Sequence, residues 1–238
     1  MSIFKRKYRD FVSKINELKR SKGYSYDKTI KLFAAIRDND YDTAAELIKD
    51  REVDINASID GVTPLSLILS RYESSHYDLY LTEDEYSDRV DALIINREDF
   101  NPNISLSGKK RYLHIAAESD NSLAIKLLLD RGADPNKRDV YGDTPLICLI
   151  ESLAPYPETV SLLLEYGADP NIKDNAGRTA LDVALEELGH LKRLKKLEQI
   201  DEDKLNNLYK IIEMLYERGG KYSKRDILES FGIRDFKV

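Results

Sequence analysis

Gly142-Asp143-Thr144-Pro145-Leu146 returns as Gly177-Arg178-Thr179-Ala180-Leu181, with the two threonines 35 residues apart. Between them, Leu162-Leu163-Leu164-Glu165-Tyr166-Gly167-Ala168-Asp169-Pro170-Asn171 repeats Leu127-Leu128-Leu129-Asp130-Arg131-Gly132-Ala133-Asp134-Pro135-Asn136 at the same interval of 35. A fixed period of this length means stacked units that each touch mainly their neighbours, not a globule around one centre. The functional question therefore shifts from a reaction to a surface: what the stack holds, and on which face.

Working outward from these phrases, each unit reads as two short helices. In residues 106–138, Leu113, Ile115, Ala116 and Ala117 form the first helix, Asp120-Asn121-Ser122 turns the chain, and Leu123–Leu129 form the second. Gly132 ends that helix where a left-handed backbone is needed. In residues 139–173, Thr144 is placed to cap a helix and Pro145 sits where a missing N–H costs nothing. Pro155 and Pro157 separate its two helices. Residues 174–220 open alike with Ala180 for the proline, and carry a Lys- and Glu-rich insertion over 189–204 that extends the two helices. Upstream, Gly61-Val62-Thr63-Pro64-Leu65 opens residues 58–105, which contain an insertion over 71–84 with Tyr72, His76, Tyr77 and Tyr80. A less regular unit over 25–57 comes first. The expectation is an all-α chain: a basic amphipathic helix over 1–24, five helix-pair units over 25–220, and a cap or tail over 221–238.

Composition is consistent with this and narrows the function. The chain has 238 residues, is 42% hydrophobic and 34% charged, and has a formal net charge of −6. That balance disfavours nucleic acid as a partner, since a basic footprint is expected there. Fifteen tyrosines and no tryptophan suit half-buried repeat surfaces and contact surfaces equally. One cysteine, Cys148, builds neither a disulfide framework nor a four-ligand zinc site. No secretory leader or membrane-length apolar run is read in the sequence. A cytoplasmic location is expected, with export as a host-directed effector left open.

The repeated phrases resemble those of the ankyrin-repeat family over roughly residues 26–220. Asp139, Gly142, Thr144, Pro145 and Leu146 match the opening of the family motif. Leu113, His114, Ala116 and Ala117 match its second half. The closing Leu-Leu-Leu-x-x-Gly-Ala-Asp-x-Asn recurs at Leu127–Leu129 with Gly132, Ala133, Asp134 and Asn136, and at Leu162–Leu164 with Gly167, Ala168, Asp169 and Asn171. Arg111-Tyr112 departs from the usual Thr-Pro, so a blunter helix start is expected there. The divergent repeats and the Lys-, Asn-, Ile- and Tyr-rich composition resemble bacterial or viral members more than metazoan ones. The resemblance implies antiparallel helix pairs, protruding hairpins and a concave face that binds protein.

Over residues 3–20, Ile3, Phe4, Tyr8, Phe11, Val12, Ile15 and Leu18 recur at helical spacing. Residues 1–22 carry +6, which leaves −12 for the rest. Three roles are open: a cap over the first repeat, a helix for a partner's groove, or peripheral contact with an anionic membrane.

No catalytic, cofactor or metal site is expected. His114 stands where the family's histidine braces neighbouring loops, Cys148 lies among apolar residues of a helix, and His190 is solvated. The cluster of His76 with its tyrosines reads as a binding patch or as packing of the insertion. Asp54, Asp134 and Asp169 recur in closing loops, where turn formation accounts for them. The family's hairpin and first-helix surface positions transfer to Asp60, Arg71, Lys110, Glu118, Tyr141, Asp143, Glu151, Arg178 and Glu186 as candidate protein-binding residues. Tyr141 is the expected anchor, because aromatics concentrate binding energy. The acidic members favour a basic partner. The expected function is a non-catalytic, monomeric protein-binding module. The alternative is a membrane-attached or self-assembling scaffold that uses residues 1–22.

Overall fold

The computed structural model describes residues 28–70, 89–152, 155–195 and 202–222. Among them lie ten α-helices and no strand. These are α1 (Lys28–Asp38), α2 (Tyr41–Lys49), α3 (Pro64–Leu69), α4 (Val90–Asn96), α5 (Tyr112–Glu118), α6 (Ser122–Asp130), α7 (Pro145–Ile150), α8 (Pro157–Glu165), α9 (Ala180–Lys195) and α10 (Glu202–Glu217). The helix expected over 3–20, the insertion over 71–84 with Arg71 and His76, and the chain beyond 222 lie outside the described residues.

Packing follows a ladder. Each odd helix packs on the even helix that follows it. The odd helices also pack on one another in succession from α1 to α9, and the even ones likewise from α2 to α10. Helices of six residues such as α3 and α7 cannot stand alone in water, because helix nucleation is costly. Stacking supplies what they lack. One continuous apolar core runs through the described units, from Phe33 and Ile36 through Leu65, Leu113, Leu146 and Leu181 to Leu215.

Local chemistry sets the helix starts. Thr63 and Thr144 cap α3 and α7 by accepting from Ser66 N at 3.2 Å and Ile147 N at 3.3 Å, with Pro64 and Pro145 in the first turn. The third pair starts no less sharply for lacking Thr-Pro. His114 Nδ1 accepts from Arg111 N at 3.1 Å. Tyr112 is fully buried and donates its phenol to Thr63 Oγ1 at 2.9 Å. α8 is capped from outside its own unit: Asp120, in the α5–α6 turn, accepts from Tyr156 N at 3.0 Å. The described parts of the 189–204 insertion extend α9 to Lys195 and start α10 at Glu202.

The closing loops are sewn together by asparagine. In each loop an Asp or Asn takes the backbone N–H two residues on: Asp54 for Asn56 (2.9 Å), Asn101 for Asn103 (3.0 Å), Asp134 for Asn136 (2.9 Å) and Asp169 for Asn171 (2.9 Å). The asparagine so held reaches into the next unit with both ends of its amide. Asn136 donates to Gly167 O at 2.8 Å and accepts from Asp169 N at 2.8 Å. Asn103 does the same with Gly132 and Asp134, and Asn171 with Gly219 and Lys221. The two Gly-Ala-Asp-Pro-Asn segments are therefore adjacent layers of one stack.

Candidate protein-binding surface

Between successive units the chain turns back in a short hairpin. Leu106 N donates to Lys110 O at 2.9 Å, Asp139 N to Asp143 O at 3.0 Å, and Asp174 N to Arg178 O at 2.9 Å. The Asp139 carboxylate shapes its hairpin by accepting from the amides of Tyr141 (2.8 Å) and Asp143 (3.0 Å). Gly142 and Gly177 take positive φ in these turns, and Lys109 occupies the corresponding place at φ +56.

The hairpins bond to one another. Val140 N donates to Gly108 O at 3.0 Å, and Asn175 N to Tyr141 O at 2.9 Å. Arg138 bridges Gly142 O and Asn175 Oδ1, both at 2.9 Å. The backbone at Tyr141 is thus tied on both sides, while Tyr141 is 63% exposed and neighbouring Val140 is 44% exposed. Tyr141 is the most exposed large hydrophobic side chain among the described residues.

The charges beside these tips form a partly buried network. Arg178 bonds Asp174 Oδ2 at 2.6 Å, Glu151 Oε1 at 2.8 Å and Glu186 Oε2 at 3.1 Å. Burial works against the Arg178 charge, but its bonds to Asp174 and Glu186 outweigh that and raise its pKa. Lys110 pairs with Glu118 in the third unit. Asp143 is buried, and its pKa is pushed up to about 6 by that burial and by the nearby charges of Glu151, Asp139 and Asp174.

His114 braces the hairpins. It is fully buried. With Nδ1 accepting from Arg111 N, the neutral ring carries its proton on Nε2, which donates to Asp143 O at 3.1 Å. Burial lowers its pKa and keeps the ring uncharged. Burial also drives the Cys148 thiol well above its usual range, the opposite of what a nucleophilic thiolate needs.

The family model described as "Ankyrin repeats (3 copies)" matches residues 32–139, 79–174 and 113–207. The chain belongs to the ankyrin-repeat family. No curated protein matches it. Ankyrin repeats generally mediate protein–protein interaction and are non-catalytic scaffolds. Among the described residues no group of three or more His, Cys, Asp or Glu side chains is placed to hold a metal ion. No described helix is long and apolar enough to cross a membrane.

Of the residues transferred from the ankyrin motif, Lys110, Asp143 and Arg178 precede the first helices of successive units; Glu118 ends α5, Glu151 directly follows α7, and Glu186 lies in the middle of α9. Tyr141 caps the best-tied hairpin. Asp60 lies at the tip of the Ile59–Val62 hairpin, two units from Tyr141. Arg71 is outside the described residues. Sequence reasoning gave no role to Asp174, Asn175 or Arg138, which hold the tips together. The recurrence of Asp139 as Asp174, 35 residues on, was the available signal.

Proposed function

We propose that this ankyrin-repeat chain is a monomeric adaptor-type module that holds a protein partner against its hairpin tips and the adjoining, concave first-helix surface. The contact residues in this reading are Asp60, Arg71, Lys110, Glu118, Tyr141, Asp143, Glu151, Arg178 and Glu186, within repeats bounded near 25–57, 58–105, 106–138, 139–173 and 174–220. The observation that carries it is Tyr141, a largely exposed ring on a hairpin whose backbone is bonded on both flanks. Such an anchor binds with little ordering cost.

The test is capture of partners from the native organism with wild type and with a Tyr141→Ala/Glu151→Lys variant of unchanged melting temperature. A partner held by the first and lost by the second supports the reading. Equal recovery by both overturns it. Binding to anionic vesicles that disappears when residues 1–22 are deleted would replace it with the scaffold reading.

A further inference from the structure

In the third and fifth units, the residue two places before the first helix pairs with the residue eight positions further on. In the third unit it is Lys110 with Glu118, and in the fifth Arg178 with Glu186; both are ion pairs. The fourth unit breaks the pattern. There the pair is Asp143 with Glu151, two carboxylates where the units on either side place a cation and an anion.

Arg178 offsets the missing cation only through its nearby charge, which is outweighed by burial and by the carboxylates around Asp143; no cation in the described chain bonds to the Asp143 carboxylate. Asp143 is only 9% exposed, and its buried Oδ1 has no hydrogen-bond partner. Arg178 commits one nitrogen each to Asp174, Glu151 and Glu186. Asp139 already accepts from two amides and has no proton to offer. A buried, unpaired carboxylate facing like charge is costly to the fold. Lysine or arginine at the same position is tolerated in both flanking units. Folding alone therefore gives no account of Asp143.

We infer that Asp143 and Glu151 form a notch that receives one arginine or lysine side chain from a protein partner. The cation comes from outside and restores the pairing seen in the two neighbouring units. Asp143 supplies a desolvated acceptor, where a charge-assisted bond is strong. Glu151, held through one oxygen by Arg178, supplies a second anionic wall. Tyr141, two residues along the hairpin, offers an exposed ring for the apolar stem of the entering side chain. This inference rests on the protein-binding reading above and names the chemistry that the partner must present.

The test uses the full chain and acetyl-Gly-Arg-Gly-amide as probe, read by the NMR signals of the side-chain carboxyl carbons. The expected result is a saturable shift at Asp143 and Glu151, at least about tenfold weaker affinity in Asp143→Asn, and no shift with the citrulline peptide. Asp143→Asn should also fold with an unchanged or higher melting temperature. The inference is overturned by no saturable shift at Asp143, by an equal response to citrulline, or by a destabilised Asp143→Asn. If a captured partner is lost by Tyr141→Ala/Glu151→Lys yet held by Asp143→Asn, the notch falls and the protein-binding reading stands.

Discussion

The phenol of Tyr112 donates to Thr63 Oγ1 at 2.9 Å and so joins the starts of two first helices that are 49 residues apart. Tyr112 replaces the helix-starting proline of its neighbours, and its ring stacks near Phe100 with centroids 5.5 Å apart. The residue that breaks the repeat pattern thereby becomes a link between two repeats. Tyr112→Phe removes the bond and keeps the ring, so unfolding by urea should show a loss of about 1 kcal/mol. Tyr112→Ala also leaves a cavity and should cost about 3–5 kcal/mol.

Asn136 carries both bonds from the third closing loop to the fourth. Asn136→Ala removes both at a half-exposed site, where water partly replaces them. A loss of about 1–2 kcal/mol is expected. The local sign should be sharper: hydrogen exchange at the Asp169 amide accelerates more than exchange within α6.

Gly142 and Gly167 share a left-handed backbone, with φ of +85 and +86. Their surroundings differ. A Cβ at Gly167 meets nothing within 4 Å, whereas one at Gly142 would meet Arg138 Nη2 and sit 2.7 Å from Asn175 N. Gly167→Ala should cost about 1–2 kcal/mol for the backbone conformation alone. Gly142→Ala should cost clearly more and should free the Asn175 amide to exchange, since the hairpin-to-hairpin bond passes through it.

His114 and Asp143 should give opposite slopes of stability with pH. The folded His114 pKa lies below its ordinary 6.5, so the unfolded chain takes up the proton first. Stability from the neutral ring is present above 6.5 and is lost as pH falls through the folded value. The folded Asp143 pKa, about 6, lies above its ordinary 3.8. The folded state therefore binds the extra proton, and this group adds stability as pH falls from about 6 towards 3.8. In denaturant titrations, the advantage of wild type over His114→Gln should shrink on acidification from about pH 7.5 to 5. The advantage of Asp143→Asn over wild type should be largest near pH 7 and vanish near pH 4.

The helix pairs were legible because their punctuation is local. Thr144-Pro145 and Gly132 act on their own backbone, so their spacing alone places starts and stops. His114 was legible as a brace through its place in the motif. The blunter start expected at Arg111-Tyr112 was not found, because a side chain three residues inside the helix takes over the cap. The asparagine ladder was half visible. Asp134 and Asp169 were read as turn residues, but what the turn serves is to hold Asn136 and Asn171 against the next unit, and that bond spans about one repeat.

The candidate surface divides in the same way. Tyr141 could be singled out from sequence, because an aromatic at a hairpin tip has little core to pack on. The charges could not be weighed there. In sequence Arg178 is only one candidate contact residue among several, and folding places Asp174, Glu151 and Glu186 around it. Asp143 is likewise one acidic contact residue among several, and folding buries its Oδ1 without a hydrogen-bond partner. Period, helix pairing and family follow from the sequence by itself, because each depends on residues within one repeat length. Which charges are paired, which amides bridge units and which carboxylate is left unpaired were decided only by the tertiary structure, because those outcomes depend on distance and desolvation between residues that the stack brings together.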